Sequence, residues 1–162
     1  MTTGVSSGSS TEMSNERSIA VVKELMEAWN AKDWDRWAQL HDENVHHDGP
    51  DHAQTVIGRE AMLAAHTGLG RAFPDFQFEI TRIFAQGDLV CAEWSLTGTQ
   101  NGPFPAPGGR SEPTGKTIKI PGCFVFRIAQ DKVAEYVGHP DLLNTYIQLG
   151  ILPPVSMDVG RH

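Results

Sequence analysis

Asp141 follows Pro140 where an alternating run of residues meets an amphipathic one, in the stretch Gly138-His139-Pro140-Asp141-Leu142-Leu143-Asn144-Thr145-Tyr146-Ile147-Gln148-Leu149-Gly150. A carboxylate in that place has two uses. It can accept the open N–H groups at the start of a helix. It can also face an apolar pocket, where desolvation raises its pKa toward neutrality and suits it to moving protons. His139 lies two residues earlier, and residues i and i+2 of an extended chain share a side. His139 and Asp141 are therefore a candidate proton-sharing pair, although a histidine at a strand end also serves as an ordinary structural residue.

His46, His47, Asp48 and His52 form the densest set of metal-capable side chains. On a strand His46 and Asp48 share one face and His47 takes the other. The spacing matches no zinc signature, so no metal is expected. His47 is the member expected to reach a pocket; His66 could do the same but reads as a surface residue. Gly109 to Thr117 has the look of a phosphate-binding loop, yet carries one residue too many between its glycines, contains Pro113, and leads into a strand. Without a following helix N-terminus it holds no phosphate, and a nucleotide site is excluded. Neither cysteine sits beside an obvious base, and no Gly-x-Ser-x-Gly elbow occurs. Trp94, Phe124 and Phe126 read as core aromatics that would supply flat walls if a sheet curls around a pocket.

The elements that must position these residues follow from periodicity. Val21, Val22, Leu25, Met26 and Trp29 recur at helical spacing between Arg17 and Ala31, with Ser14 or Asn15 as the cap. Asp33 reads as the N-cap of a short helix carrying Trp34, Trp37 and Leu40. Asn44–Asp48 is extended, and Gly58–Phe73 is a third helix stopped by Pro74. Phe76, Phe78 and Ile80 then alternate with polar neighbours, Gln86-Gly87-Asp88 turns, and Val90, Ala92, Trp94 and Leu96 alternate again. Gly98–Gly115 reads as a long loop, a flexible lip with Gln100 near its hinge. Ile118 to Ile128 is a strand with a bulge or kink at Pro121-Gly122. Lys132–His139 is a last strand and Asp141–Leu149 a closing helix. Helices followed by a strand meander make an α+β class. Leu89 and Cys91 oppose Val90 and Ala92, so the sheet is apolar on both faces, and a homodimer is expected.

The 162 residues suffice for one buried core, and 40% of them are hydrophobic. A formal net charge of -7 argues against nucleic-acid partners, which demand a basic face. No apolar run reaches bilayer-spanning length. The Ser/Thr/Gly-rich start lacks the basic flank and apolar run of a signal peptide. The expected organisation is a disordered leader over 1–16, a domain over 17–152 and a loose tail over 153–162. Cys91 and Cys123 are expected as buried free thiols, and the location as cytoplasmic.

This order of elements resembles the nuclear transport factor 2-like superfamily, a cone-shaped α+β barrel. In it N-terminal helices pack on a curved, mostly antiparallel sheet, with a C-terminal helix. Within it the chain is similar to the SnoaL-like polyketide cyclase family from about Ile19 to Leu152. The carriers are Trp29-Asn30, Phe73-Pro74-Asp75, Gly98-Thr99-Gln100-Asn101-Gly102, Pro113-Thr114-Gly115-Lys116, and Pro140-Asp141 through Gln148-Leu149-Gly150. The resemblance implies intramolecular aldol cyclisation of an aromatic polyketide ester without metal or cofactor, with Asp141 as the acid/base. His139, His47 and Gln100 would hold substrate oxygens, and Trp94 and Phe124 would wall the pocket. Two departures stand out: Gln100 occupies a place where many members carry histidine, and His139 one where some carry tryptophan. They leave open a relative that takes part in polyketide hydroxylation with a reductase partner, or a non-catalytic module for a hydrophobic ligand.

Overall fold

The apolar stripe Val21-Val22-Leu25-Met26-Trp29 is buried in the computed structural model, which describes residues 7–50 and 54–155. Its helix, α1, spans Ser7–Ala31. It starts well before Arg17, so the segment expected as a leader is helical from Ser7 onward. The sheet holds this early part: Asn15 Oδ1 accepts the Gly87 N–H at 2.7 Å and Ser18 Oγ donates to the Gly87 carbonyl at 3.1 Å. Asn15 thus binds a strand turn rather than capping its own helix. Helix α2 spans Trp34–Gln39, and Asp33 caps it by accepting the Arg36 N–H at 3.1 Å. Helix α3 spans Arg59–Ala72 and stops at Phe73, the residue before Pro74. Residues 1–6 of the expected leader, 156–162 of the expected tail, and His52 lie outside the described residues.

The strands are β1 (His41–Asp48), β2 (Val56–Ile57), β3 (Gln77–Gln86), β4 (Leu89–Thr99), β5 (Phe104–Ala106), β6 (Gly109–Ser111), β7 (Thr117–Ala129) and β8 (Lys132–Pro140), followed by helix α4 (Leu142–Leu149). Six of them form one sheet in the order β2-β1-β8-β7-β4-β3. Only the β1–β8 pair is parallel. The register shifts at Ile80/Arg82 and at Arg127/Ile128, and such bulges bend and twist a sheet. The concave side carries Val90, Ala92, Trp94 and Leu96 with Phe124 and Phe126, all buried. This is the α+β cone with helices at the start and end. No helix among the described residues is long and apolar enough to cross a membrane.

The outer face is partly apolar as well, with Phe84 and Leu89 56% and 40% exposed. Cys91 and Cys123 are free thiols on that side, half-buried rather than in the core. Burial, and then each other's proximity, pushes the Cys91 thiol up.

Two segments depart from the sequence reading. The Gly98–Gly115 loop contains a hairpin, with Phe104 opposite Ser111 and Ala106 opposite Gly109, turned at Gly108 with φ 83. Pro103, Pro105 and Pro107 hid it, because proline is excluded from all but edge strands, and a two-stranded ribbon has only edges. The Pro121-Gly122 bulge is absent: Ser95 pairs with Pro121 and Trp94 with Gly122 in unbroken register. The Pro121 carbonyl accepts the Asp141 N–H at 3.2 Å, and a strand residue's N–H and C=O point the same way. The donor that Pro121 lacks therefore falls where β8 has already given way to α4. Gly122 serves a different need, since a Cβ there would overlap the Trp94 ring. Gly122→Ala is expected to destabilise the fold by about 2 kcal/mol through this overpacking. A fall in the urea midpoint without a change in slope would show it; an unchanged midpoint would mean that Trp94 can simply turn away.

Candidate active site

Alternation along β8 sends Tyr136, Gly138 and Pro140 to the concave side and His139 to the convex side. The concave side does not close. It leaves a cavity of about 840 Å³, lined from α1, β1, α3, β3, β4, the β5–β6 hairpin, β7, β8 and α4. That volume suits a polycyclic small molecule. Its walls are aromatic: Trp29 stacks with Phe124 at 5.6 Å between ring centres, Trp94 lies 4.9 Å from Phe124, and Phe78 meets Trp94 edge-on at 5.0 Å. Gly138 permits this, because a Cβ there would press to 3.2 Å from Phe124.

His47, His66 and Tyr136 gather at one place on this lining. His66 Nε2 and the Tyr136 hydroxyl are hydrogen-bonded, with both residues buried. His47 lies against the Tyr136 ring at 3.9 Å and 5.1 Å from His66. Trp29 meets His66 edge-on at 5.0 Å. With His66 protonated at Nδ1, its Nε2 accepts from Tyr136, and the pair can pass a proton between ring nitrogen and phenol oxygen. Behind it, His41 Nδ1–H donates to the Trp37 carbonyl at 2.8 Å. Burial pushes the His41 pKa down to about 4; the Trp37 bond opposes this, and Arg59 and His47 add to it. His41 thus stays neutral at physiological pH.

Three of the six expected site residues meet here: His47, Trp94 and Phe124 all line the cavity. The other three lie elsewhere. Asp141 is the N-cap of α4, its Oδ1 accepting the Asn144 N–H at 3.0 Å, and it lies off the cavity wall between the lining residues Pro140 and Leu142. His139 pairs with Cys123 on the convex face and is exposed. The strand stops at Pro140, so the i, i+2 rule does not carry His139 and Asp141 to one side. Gln100 is fully buried but off the cavity: its Nε2 donates to the Ser111 hydroxyl at 2.8 Å and to the Gly102 and Glu112 carbonyls at 3.1 and 3.3 Å. Its Oε1 accepts from the Thr114 hydroxyl and N–H at 2.7 and 3.2 Å. The lip is therefore clamped by Gln100 rather than hinged on it.

Sequence reading missed Tyr136, Trp29, Arg71 and Arg110 as lining residues and placed His66 on the surface. A buried His66 is legible only once α3 is known to cover the open side of the sheet. His46 and Asp48 are exposed, with Asp48 accepting from the Thr55 hydroxyl at 2.6 Å. Among the described residues no three His, Cys, Asp or Glu side chains are grouped to hold a metal. No Asp or Glu lines the cavity among those residues.

Comparison with known proteins follows the same outline. The family model for SnoaL-like polyketide cyclases matches residues 19–149. Among solved structures, a protein of Jannaschia sp. CCS1 assigned as a SnoaL-like polyketide cyclase is 26% identical, with a TM-score of 0.76 over 86% of this chain and 95% of that one. AclR of Streptomyces galilaeus, assigned as a hydroxylase, is 28% identical, with a TM-score of 0.74 over 89% and 87%. An LEH-like epoxide hydrolase of M. tuberculosis, at 14% identity and a TM-score of 0.67 over 85% and 92%, shares the fold alone. No curated protein matches.

Two predictions test this placement. The unfolded chain holds a proton on His41 below its ordinary 6.5, whereas the folded chain takes one only near 4. The unfolded state thus binds more protons in that window, and stability falls as pH drops through it, by up to about 1.4 kcal/mol per unit. Urea unfolding at several pH values should show this slope and lose it in His41→Gln; a slope that survives would belong to another group. Asp141→Ala should cost about 1 kcal/mol in the same assay, while Asp141→Asn, which still caps, should cost far less. Equal losses would mean that the carboxylate does more than cap.

Proposed function

Because the chain belongs to the SnoaL-like polyketide cyclase family, matched over residues 19–149, we propose that it closes a ring on an aromatic polyketide by cofactor-free acid/base catalysis. The proton is moved by the His66–Tyr136 pair rather than by Asp141. The observation that carries this reading is the hydrogen bond between those two side chains on the wall of an aromatic cavity. As the Tyr136 oxygen takes the proton from a carbon flanked by carbonyls, its own proton passes to His66 Nε2. The enolate attacks a ketone of the same molecule and forms the new carbon–carbon bond. Tyr136 then protonates the resulting alkoxide and recovers its proton from His66. Atoms and charge are conserved, so product and substrate have one mass. His47, packed on the Tyr136 ring, orients it, and Trp29, Trp94 and Phe124 hold the substrate flat and exclude water. Pairing through a positioned acid/base group contributes about 10²–10⁴-fold.

A second reading is participation in polyketide hydroxylation with a reductase partner. It is favoured by the lack of a carboxylate on the described cavity lining and by the 28% identity to AclR, a protein assigned as a hydroxylase.

Incubation with an open-ring anthraquinone methyl ester, followed by mass and chromatography, tests both. The expected product has unchanged mass and shifted retention. Tyr136→Phe should lower kcat about 100-fold in a chain that circular dichroism shows to be folded, and Asp141→Asn should still turn over. Lost turnover in a folded Asp141→Asn would return the proton transfer to that carboxylate. A product heavier by one oxygen, formed only with reductase and reductant, would establish the second reading.

A further inference from the structure

The arginines among the described residues divide into two groups. Arg17, Arg36, Arg82 and Arg127 each pair with a carboxylate, and Arg59 donates to the His41 carbonyl at 3.2 Å. Arg71, in the last turn of α3, and Arg110, on β6, have neither kind of partner among the described residues. Both line the cavity, and both are exposed, which puts them at its opening. They are also the only Arg, Lys, Asp or Glu on the described cavity lining. In a chain of net charge -7, the described lining thus carries no acid and two unpaired guanidinium groups.

A guanidinium is a rigid fork of N–H donors that matches an oxyanion in charge and shape. On an otherwise acidic protein, a local positive field at a cavity mouth also draws anions in against the general repulsion. Resting on the polycyclic-ligand reading above, we infer that the substrate carries an ionised oxygen group, a carboxylate, which Arg71 and Arg110 hold at the opening while the reacting carbon lies by Tyr136. Arg71 and His66 stand on the same helix. At 1.5 Å rise per residue they are separated by about 7.5 Å along its axis. The anionic group therefore belongs at the far end of the ring system from the bond being made. An ester or amide in that position would lose the contact. The two arginines thus select among polyketides of equal shape by their charge.

Calorimetric titration of the full chain with anthraquinone-2-carboxylate and with its methyl ester tests this. The carboxylate should bind about tenfold more tightly than the ester at low salt, as expected for charge-assisted bonds, and the advantage should shrink at high salt. In the double variant R71Q/R110Q the two compounds should bind alike, with ester affinity unchanged. Circular dichroism would verify that the variant is folded. Equal binding by the wild type, or a preference for carboxylate that survives in the double variant, would overturn the assignment while leaving the polycyclic site standing. Binding of neither compound by the folded wild type would overturn the polycyclic site itself, and this inference with it.

Discussion

Strand β7 is the constraint on which everything else depends. It pairs with β4 along its length on one side and with β8 on the other, so both walls of the cavity are set by its course. Phe124 stands at its middle, opposite Ala92 on β4 and Gly138 on β8. Two small residues beside one ring let Trp29 stack on it and Trp94 approach it. Larger side chains at those places would fill the concavity. Protein interiors pack as densely as organic crystals, and an empty volume costs stability in proportion to its size. A sheet that bends around 840 Å³ instead of closing on it leaves a volume of the size small-molecule sites have.

Helices and strands were legible because their apolar periods are local. The stripe from Val21 to Trp29, the Asp33 cap and the alternation of β4 all survive folding unchanged. The hairpin at Phe104–Ser111 was not, since its two prolines and Pro103 before it signal loop to any reading that assumes an internal strand. Asp141 exposes a deeper limit. An acid between a strand and a helix is required at the same position whether it caps or catalyses, and only the direction of its side chain separates the two. Tyr136 stayed hidden for a different reason. The bulge at Arg127/Ile128 and the uneven burial along β8 break the simple two-residue count. His66, on a helix whose other face is wet, carries no mark that its side chain points inward.

The chemistry proposed for this site differs in kind from that of a carboxylate. A buried aspartate alternates between an anion that its surroundings resist and a neutral acid. In the relay proposed for His66 and Tyr136, a ring nitrogen and a phenol oxygen share the proton instead. His41, held neutral by its burial against the opposing pull of its bond to the Trp37 carbonyl, keeps a further cation from accumulating beneath the cluster. On the same proposal, aromatic walls around a planar ligand would keep charge formed during the transfer away from bulk water.

The Gln100 clamp has a consequence for affinity. Its single amide ties Gly102, Ser111, Glu112 and Thr114 together, so the strap carrying Phe104 and Arg110 is ordered by the fold itself. Phe104 extends that order to Phe73 and Tyr146, at 5.3 and 6.4 Å. The conformational entropy of fixing this segment is lost when the chain folds, not when a ligand arrives. Contacts made to the strap are then free to appear in full as binding energy, as in any preorganised receptor.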